Sequence, residues 1–298
     1  MTNATADQSV ACYLCGLTDA EVVADKFRYD TPKTGYRCRG CGLVFMHPRM
    51  SPDEERKFYE LEYGIIYSAE KSTTPADLFA ARQGEARQFL SWADPYLKPA
   101  DAALEIGCAS GYFLDLIRNR VASDAGVETH PELREYAHRL GLEVWDDLAR
   151  CPHASKDIVF IFFVLEHIGD PLSFLGQIRR VCRPGARALF VVPNVDDALL
   201  SVYTVPRFRD FYFTPAHQFY YSPATMARLF QKAGFARVEI FQKQRYDLSN
   251  HMQWMMDGRP GGMGRFNALF DEPLRAAYQS TLERHHVADT LFAVVEAG

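Results

Sequence analysis

Short apolar runs alternate with amphipathic stretches through most of residues 100–298. The predicted strands cover residues 102–106, 125–128, 142–145, 157–165, 188–192, 236–241 and 290–295. Helical spacing of apolar residues predicts helices over 76–93, 111–120, 131–140, 171–182 and from Ser222-Pro223 to Gly234. Strands that alternate with helices of this length indicate a doubly wound, mostly parallel α/β sheet covered on both faces.

The chain divides into three predicted parts. Residues 1–50 form a small cysteine-bearing module, residues 51–100 a helical linker or cap, and residues 101–298 the α/β domain. Within that domain we expect a lid loop over 194–221 and an insertion over 242–289. A capping box predicts a helix from Ser51, which runs into a tyrosine-rich stretch with Tyr59, Tyr63 and Tyr67. We interpret these tyrosines as packing between the small module and the main domain.

Four of the seven cysteines form two matched pairs near the start of the chain: Cys12 with Cys15, and Cys38 with Cys41. A glycine follows each pair directly. Zinc binds four thiolates in a tetrahedron, and a CxxC turn directs two of them at one metal. Buried or redox-active thiols are the alternative, but neither requires two matched pairs. The doublet therefore predicts a zinc site, and four thiolates leave no open position, so we interpret the metal as structural.

Composition limits the possible partners. Of 298 residues, 48% are hydrophobic and 24% charged, and the net charge is −5. This excludes a chain-wide basic field that would hold nucleic acid or anionic lipid. No apolar run approaches the roughly 20 residues that span a bilayer. The first residues lack a secretory signal, and the cysteine number is odd, so we expect a reducing, cytoplasmic setting without disulfides.

The first predicted strand of the α/β domain ends in the turn E-x-G-x-x-x-G, from Glu105 through Gly107 to Gly111. A dinucleotide fingerprint would be G-x-G-x-x-G, and a P-loop would carry a Lys after its last glycine. Ligands bind such sheets beyond the carboxyl ends of the strands. An acid in this turn suits a ligand with a positively charged amino-acid end better than it suits a pyrophosphate.

Further acids follow the next two predicted strands. Glu128 could accept both hydroxyls of a ribose, which an NAD-binding protein would equally require. Asp146 or Asp147 could accept a hydrogen bond from an exocyclic amine such as the adenine N6. Three acids at strand ends, beside a glycine turn, fit a cationic nucleoside that carries no phosphate. S-adenosylmethionine is such a ligand.

With these motifs the chain resembles the class I S-adenosylmethionine-dependent methyltransferases, and among them a branch with an N-terminal four-cysteine zinc module. The resemblance covers most of residues 100–241 and, through the cysteines, residues 10–45. Its pieces are the turn over 105–111, Gly126-Val-Glu128, Asp157 to Pro171, Arg183-Pro-Gly185, Val192-Pro-Asn194, His217 to Ser222 and Ala233-Gly-Phe235.

This resemblance implies a seven-stranded Rossmann-like sheet with an antiparallel last strand, and it assigns roles to residues. Glu105 and Gly107 would line the methionine end of the cofactor, Glu128 would hold the ribose, and one of the two aspartates would face the adenine. The remaining implied cofactor-binding residues are Cys108 and Gly111 in the turn and Phe163, in a stretch that closes over the sulfonium. Many relatives have glycine where this chain has Ala109 and Ser110.

Methyl transfer is an in-line displacement, so the protein contributes alignment, desolvation and, for an O–H or acidic C–H acceptor, a base. Two of the nine histidines are candidate catalytic residues. His167 follows the fourth predicted strand of the sheet, and its alternative role is structural. His217 follows the aromatic-rich 194–214 segment, and its alternative role is to cap a helix. In that segment Arg207 and Arg209 could pair with an anionic substrate group or remain solvated.

The leading hypothesis is methyl transfer to an oxygen or carbon atom of a small-molecule acceptor, such as a sugar or a natural product. A zinc-module RNA methyltransferase is a second hypothesis, which the acidic composition disfavours. A scaffold that binds the cofactor without turnover is a third.

Overall fold

The structure is a computed structural model that describes residues 10–51, 53–54 and 74–298. The predicted tyrosine-rich stretch with Tyr59, Tyr63 and Tyr67 lies outside the described residues. At its start the capping box is present, because the Ser51 N–H donates to the Glu54 carboxylate at 2.7 Å and the Glu54 N–H donates to Ser51 Oγ at 3.3 Å.

The described strands are β1 (Ala20–Ala24), β2 (Thr34–Cys38), β3 (Val44–His47), β4 (Ala103–Ile106), β5 (Gly126–Val127), β6 (Val144–Trp145), β7 (Lys156–Phe162), β8 (Cys182–Pro193), β9 (Phe219–Tyr220), β10 (Phe235–Lys243) and β11 (Thr290–Ala297). The described α-helices are α1 (Pro75–Ala81), α2 (Gln83–Ala93), α3 (Tyr112–Ile117), α4 (Pro131–Arg139), α5 (Pro171–Val181), α6 (Ala198–Ser201), α7 (Pro206–Tyr212), α8 (Pro223–Lys232), α9 (Leu248–Asp257) and α10 (Glu272–Arg284). None of these helices is both long and apolar enough to cross a bilayer.

The chain forms two compact units. The sheet unit comprises residues 50–192, 230–240 and 292–298, and the cysteine unit comprises residues 1–49, 193–229 and 241–291, each to the extent described. The seven-stranded sheet has the order β10-β11-β8-β7-β4-β5-β6, and β4 to β8 pair in parallel wherever they are neighbours. The predicted seven-stranded, mostly parallel α/β sheet is confirmed.

Aromatic packing holds helices against the centre of this sheet. Phe113 on α3 lies 5.0 Å from Phe160 and 4.9 Å from Phe162, ring centroid to ring centroid. Phe89 on α2 lies 4.9 Å from Phe162. All four rings are buried. Because β7 is central and covered, its sequence is a continuous apolar run and not an alternating one.

Three predicted boundaries are wrong for local reasons. Strand β7 ends at Phe162, short of the predicted residue 165, because Phe163 adopts a left-handed φ of +55°. The predicted helix over 76–93 is interrupted at Arg82 and becomes α1 and α2. Strand β8 begins at Cys182, ahead of the predicted residue 188, and its pairing with β7 shifts register between Lys156 and Ile158.

The cysteine unit is built on a second sheet, of order β1-β2-β3-β9, in which every pair is antiparallel. The first three strands come from the cysteine module, whereas β9 comes from residues 219–220. The segment expected to be a lid loop contains α6 and α7, and the segment expected to be an insertion contains α9 and α10. A core of apolar side chains joins the strands to the 193–229 segment: Ala24, Phe27, Val44, Met46, Val195, Phe213 and Tyr220.

Candidate cofactor and metal sites

The turn after β4 brings the backbone close to the neighbouring strand β5. Gly107 has a φ of +76°, and its N–H donates to the Val127 carbonyl at 2.8 Å. A Cβ at Gly107 would lie 2.5 Å from Val164 Cγ2, and a Cβ at Gly111 would collide with Leu142. The positive φ favours glycine at both positions, and at Gly107 a Cβ would also press on the β-branched side chain of Val164.

Ala109 sits in the middle of the same turn with a φ of +48°. A left-handed conformation is costly for a residue with a Cβ, and glycine would adopt it without that penalty. The Ala109 N–H donates to Glu128 Oε2 at 2.8 Å, so a strand-end acid holds this left-handed residue in place.

Glu128 follows β5 and is nearly buried. Its second oxygen, Oε1, accepts a hydrogen bond from the His130 N–H at 2.7 Å. Burial raises the pKa of Glu128, and the hydrogen bonds from the His130 and Ala109 N–H groups oppose that rise. Glu128 therefore ties the end of β5 to the glycine turn, and each of its oxygens retains a lone pair for a further donor.

Glu105 lies on β4 and is 2% exposed. Within the described part of the chain its Oε2 is buried and accepts no hydrogen bond. Burial raises the pKa of Glu105 well above its usual range, and the negative charge of Glu128 raises it further. A buried acceptor without a donor is costly unless a ligand supplies one. A ligand that carries a cation or a hydrogen-bond donor would satisfy this atom.

Two further polar atoms near the turn were not predicted as site atoms. Ser110 Oγ and His130 Nδ1 are buried, and neither atom forms a hydrogen bond with any described residue. The available signal was their position, since Ser110 lies inside the glycine turn and His130 lies two residues after Glu128. Hydroxyl and imidazole groups at such positions can meet a polar ligand, but the sequence does not show that they are unsatisfied.

The two aspartates after β6 differ in their contacts. Asp147 Oδ1 accepts a hydrogen bond from the Ala149 N–H at 2.7 Å and so caps a short 3-10 turn. Asp146 lies 2.8 Å from the Arg150 guanidinium. Cys108, in the glycine turn, is fully buried, and burial raises the pKa of its thiol well above the usual range.

The residues after β7 form a tight, strained corner. Phe163 has a positive φ, and its N–H donates to the Val191 carbonyl at 2.8 Å. Its ring lies 5.8 Å from that of Phe89. His167 closes a buried 3-10 turn over Leu165–His167, with its Nε2 at 4.0 Å from Glu166 Oε1. Strain at a strand end is a recurrent feature of functional sites.

His217 belongs to the cysteine unit and is half-buried. Its N–H donates to the Thr214 carbonyl at 3.1 Å, and its ring lies 5.5 Å from that of Tyr220. The Tyr220 hydroxyl bonds both the N–H and the carbonyl of Thr214, at 3.0 and 3.1 Å. Residues 214–220 are therefore a fixed loop that holds the His217 ring against β9.

The four predicted zinc ligands lie together. Their sulfur atoms are all within 4.8 Å of one another, and the Cys12–Cys41 and Cys15–Cys38 sulfur distances are both 3.5 Å. A zinc ion with four sulfur ligands at about 2.3 Å would space them by roughly 3.8 Å. Gly16 and Gly42 each have a φ of +79° and donate an N–H to the carbonyl of Cys12 and Cys38 respectively. The donor set and its spacing fit zinc.

The comparisons with known proteins agree with the strand order and the glycine turn. Residues 78–240, more than half of the chain, match the family described as a methyltransferase domain. The chain belongs to this methyltransferase domain family. The matched residues begin in α1 and include the turn after β4, all three strand-end acids and His167, but neither the four cysteines nor the α9–α10 segment.

Curated relatives with methyltransferase names match parts of this chain. A probable S-adenosylmethionine-dependent methyltransferase of Mycolicibacterium smegmatis is 33% identical over 138 residues, which are 44% of this chain and 51% of that protein. A ubiquinone biosynthesis O-methyltransferase of Hahella chejuensis is 28% identical over 106 residues, which are 32% of this chain and 44% of that protein. The chain thus spans about half the length of these relatives.

Among solved structures, an S-adenosylmethionine-dependent methyltransferase from Archaeoglobus fulgidus is similar with a TM-score of 0.50 and 16% identity. The match covers 79% of this chain and all of that one. At this identity the likeness supports the methyltransferase fold alone.

Proposed function

We propose that this chain transfers the methyl group of S-adenosylmethionine to an oxygen or carbon atom of a small-molecule acceptor. The observation that carries the proposal is the buried Glu105 Oε2, which accepts no hydrogen bond from any described residue, beside a glycine turn that Glu128 holds in place. The membership of residues 78–240 in the methyltransferase domain family supports it.

The residues around the turn fit S-adenosylmethionine chemically. Glu105 would pair with the ammonium of its amino-acid end, which would return the raised pKa of this carboxyl towards its usual range. The turn around Gly107 has no side chain at its tightest point, and Cys108 and Gly111 belong to the same turn. Glu128 would accept the ribose hydroxyls with its remaining lone pairs.

The acids after β6 would meet the adenine end. Asp146 or Asp147 would accept from the adenine amine with the carboxylate oxygen that the Arg150 guanidinium or the Ala149 N–H, respectively, does not occupy. Phe163 would exclude water from the sulfonium side, because its ring packs on Phe89 at the end of β7.

Bound S-adenosylmethionine supplies a methyl group on a positively charged sulfur, a leaving group that needs no further activation. This chain then has to orient the acceptor, exclude water and remove a proton from an O–H or acidic C–H acceptor. We assign the removal of this proton to His217, because the 214–220 loop fixes its half-buried ring. His167 is the alternative base. The net charge of −5 disfavours a nucleic-acid acceptor and supports a metabolite.

The four cysteines would hold zinc in a purely structural role. The CxxC turns offer four sulfurs to one ion, so no position remains for substrate or water. The metal would hold the start of β1 to the end of β2, since Cys38 is the last residue of that strand and Cys12 and Cys15 precede β1.

Calorimetry on the full chain tests the cofactor assignment. We expect S-adenosylmethionine and S-adenosylhomocysteine to bind one per chain, and Glu105→Gln to weaken S-adenosylmethionine by about tenfold or more, because a bond to a charged group is lost. Glu143→Gln, at an exposed acid of the same unit, is the matched control. Absence of binding at millimolar concentrations of either nucleoside would overturn the proposal. Transfer of a labelled methyl group to a metabolite panel then tests turnover.

A further inference from the structure

A cavity within the cysteine unit has no role in the proposed methyl transfer. It is open to solvent on one side, has a volume of about 310 Å³ and lies between strands β1 and β2 and the segment that carries α6 and α7. Its volume is at the lower end of the range for small-molecule sites. Every residue that lines it belongs to the cysteine unit.

The walls of the cavity are mainly apolar. Val23 contributes from β1, and the 193–229 segment contributes most of the remainder: Val195, Leu200, Val205 and Phe213. Val195 and Phe213 are buried members of the core beneath it. A surface of this composition fits the hydrocarbon or ring portion of a ligand.

Two guanidinium groups give the cavity its polarity. Arg37 enters from β2 and Arg209 from α7, and both line the cavity. Within the described residues the Arg37 guanidinium has no hydrogen bond or ion pair, and the Arg209 guanidinium lies 3.9 Å from Asp210, at the outer limit of an ion pair. Guanidinium groups with free N–H donors bind carboxylate oxygens in a planar, two-bond geometry.

Two acidic groups limit the charge of the ligand. Half-buried Asp196 interacts electrostatically with Arg37, while burial acts more strongly to raise the pKa of Asp196. Asp210 lies 3.9 Å from Arg209. With these acids beside the two guanidinium groups, a ligand with one negative charge matches the cavity better than a doubly charged phosphate does.

A strained residue lies on the cavity wall. Thr204 has a φ of +49°, a conformation that is rare for a β-branched residue. It lies directly between the end of α6 and the start of α7, and it lines the cavity. Backbone strain of this kind persists where it shapes a binding surface.

We propose that this cavity binds a small molecule that has an apolar body and one carboxylate, with Arg37 and Arg209 as the carboxylate ligands. Nothing in this assignment depends on S-adenosylmethionine, because all of its lining residues lie outside the sheet unit. The test of this site can therefore fail while the proposed methyl transfer stands, and the proposed methyl transfer can fail while this site stands.

Calorimetry on the full chain without S-adenosylmethionine tests this site. The probes are octanoate and 3-phenylpropionate, each paired with the alcohol of the same skeleton, 1-octanol and 3-phenyl-1-propanol. We expect both carboxylates to bind one per chain and about tenfold more tightly than their alcohols, because the alcohols lack the charge-assisted bonds. Val23→Trp fills the apolar end and should abolish binding of all four probes.

Charge variants separate the site from unspecific binding. Arg37→Gln and Arg209→Gln should each remove most of the preference for the carboxylates and leave binding of the alcohols unchanged. Arg207→Gln, two residues from Arg209 but outside the cavity, should have no effect. The proposal fails if neither carboxylate saturates at millimolar concentration, if acids and alcohols bind equally, or if Arg207→Gln acts like Arg209→Gln.

Discussion

The carboxylate of Glu128 accepts a hydrogen bond from the Ala109 N–H over 2.8 Å and thereby connects the end of β5 to the turn after β4. The same carboxylate accepts from the His130 N–H. In the proposed site this acid has two tasks, because it fixes the turn and also presents lone pairs to the ribose.

Replacement of Glu128 separates these tasks. Glu128→Ala should weaken S-adenosylmethionine binding by roughly 1.5–3 kcal/mol, the scale of a hydrogen bond to a charged group. Glu128→Gln keeps one acceptor oxygen for the turn and should be the milder variant. Calorimetry measures both, with Glu132→Gln, an exposed acid on α4, as the control. Unchanged affinity in Glu128→Ala would exclude the ribose assignment.

The left-handed conformation of Ala109 predicts a stabilising substitution. Ala109→Gly should raise the free energy of unfolding by about 0.5–1 kcal/mol, because the Cβ penalty of about 1–2 kcal/mol exceeds the extra chain entropy of glycine. Urea unfolding measures the change. Ala154→Gly is the matched control, since Ala154 has a φ of +45° at an exposed position away from the turn. It should stabilise similarly without altering cofactor affinity, and a destabilised Ala109→Gly protein would contradict the conformation described.

The sulfur cluster predicts a bound metal. The full chain should hold one zinc per molecule, and Cys38→Ser should lose it and destabilise the cysteine unit, since metal binding energy becomes folding energy. Elemental analysis and thermal unfolding measure the two effects. Cys182→Ala, at a buried cysteine of the sheet unit, should retain the metal. Full zinc content in Cys38→Ser would refute the ligand set.

The base assignment predicts a kinetic defect without a binding defect. On an acceptor found in the labelled-methyl assay, His217→Gln should lower kcat by roughly 10²–10⁴, the usual contribution of a general base, and leave S-adenosylmethionine affinity unchanged. His167→Gln is the counterpart. If His167 is the base, His167→Gln should show the loss of kcat and His217→Gln should not. The melting temperature of each variant shows whether the substitution lowers the stability of the protein instead.

Buried His251 predicts a loss of stability in acid. Its Nδ1 lies 2.7 Å from the Tyr278 hydroxyl, and burial lowers its pKa from 6.5 to about 4. Between these values the unfolded chain gains a proton at His251 that the folded chain does not, so stability falls as the pH falls. Between about pH 7 and pH 5 this contributes a loss of about 2 kcal/mol.

Urea unfolding at both pH values tests this effect as a difference between proteins, because other buried groups titrate as well. His251→Gln should show a weaker pH dependence than the parent chain, and His285→Gln, at an exposed histidine, should match the parent. A parallel pH dependence in His251→Gln would show that this histidine is protonated equally in the folded and unfolded chain.

Local sequence patterns were sufficient to predict the large sheet. All seven of its strands overlap the predicted ranges, because each contains a short apolar run, although β8 begins six residues before its predicted range and β7 ends three residues before the end of its own. The four-cysteine cluster could also be predicted from the sequence, because one metal ion would be enough to bring two CxxC turns together. In both cases the information lies within a few neighbouring residues.

Features that depend on distant contacts were not predictable. The sequence around Phe219 and Tyr220 has no strand periodicity, and its pairing with β3 spans most of the chain. The end of β7 follows from the strained φ of Phe163, for which an apolar run gives no signal. Arg37 and Arg209 line one cavity only because β2 and α7 meet in space. For Glu105, the sequence indicated an acid at the site but not that its Oε2 would be buried without a donor.

The pairing of Val44 with Tyr220 and of Phe45 with Phe219 has a consequence for the order of assembly. During synthesis the cysteine knuckles and the first three strands emerge long before β9 does, so the free edge of β3 stays uncovered while about 170 further residues are added. A gene fragment that stops after His47 would leave that edge open to other chains. The sheet of the cysteine unit is thus completed by a strand from much later in the sequence. The N-terminal module expressed as a separate fragment should therefore aggregate.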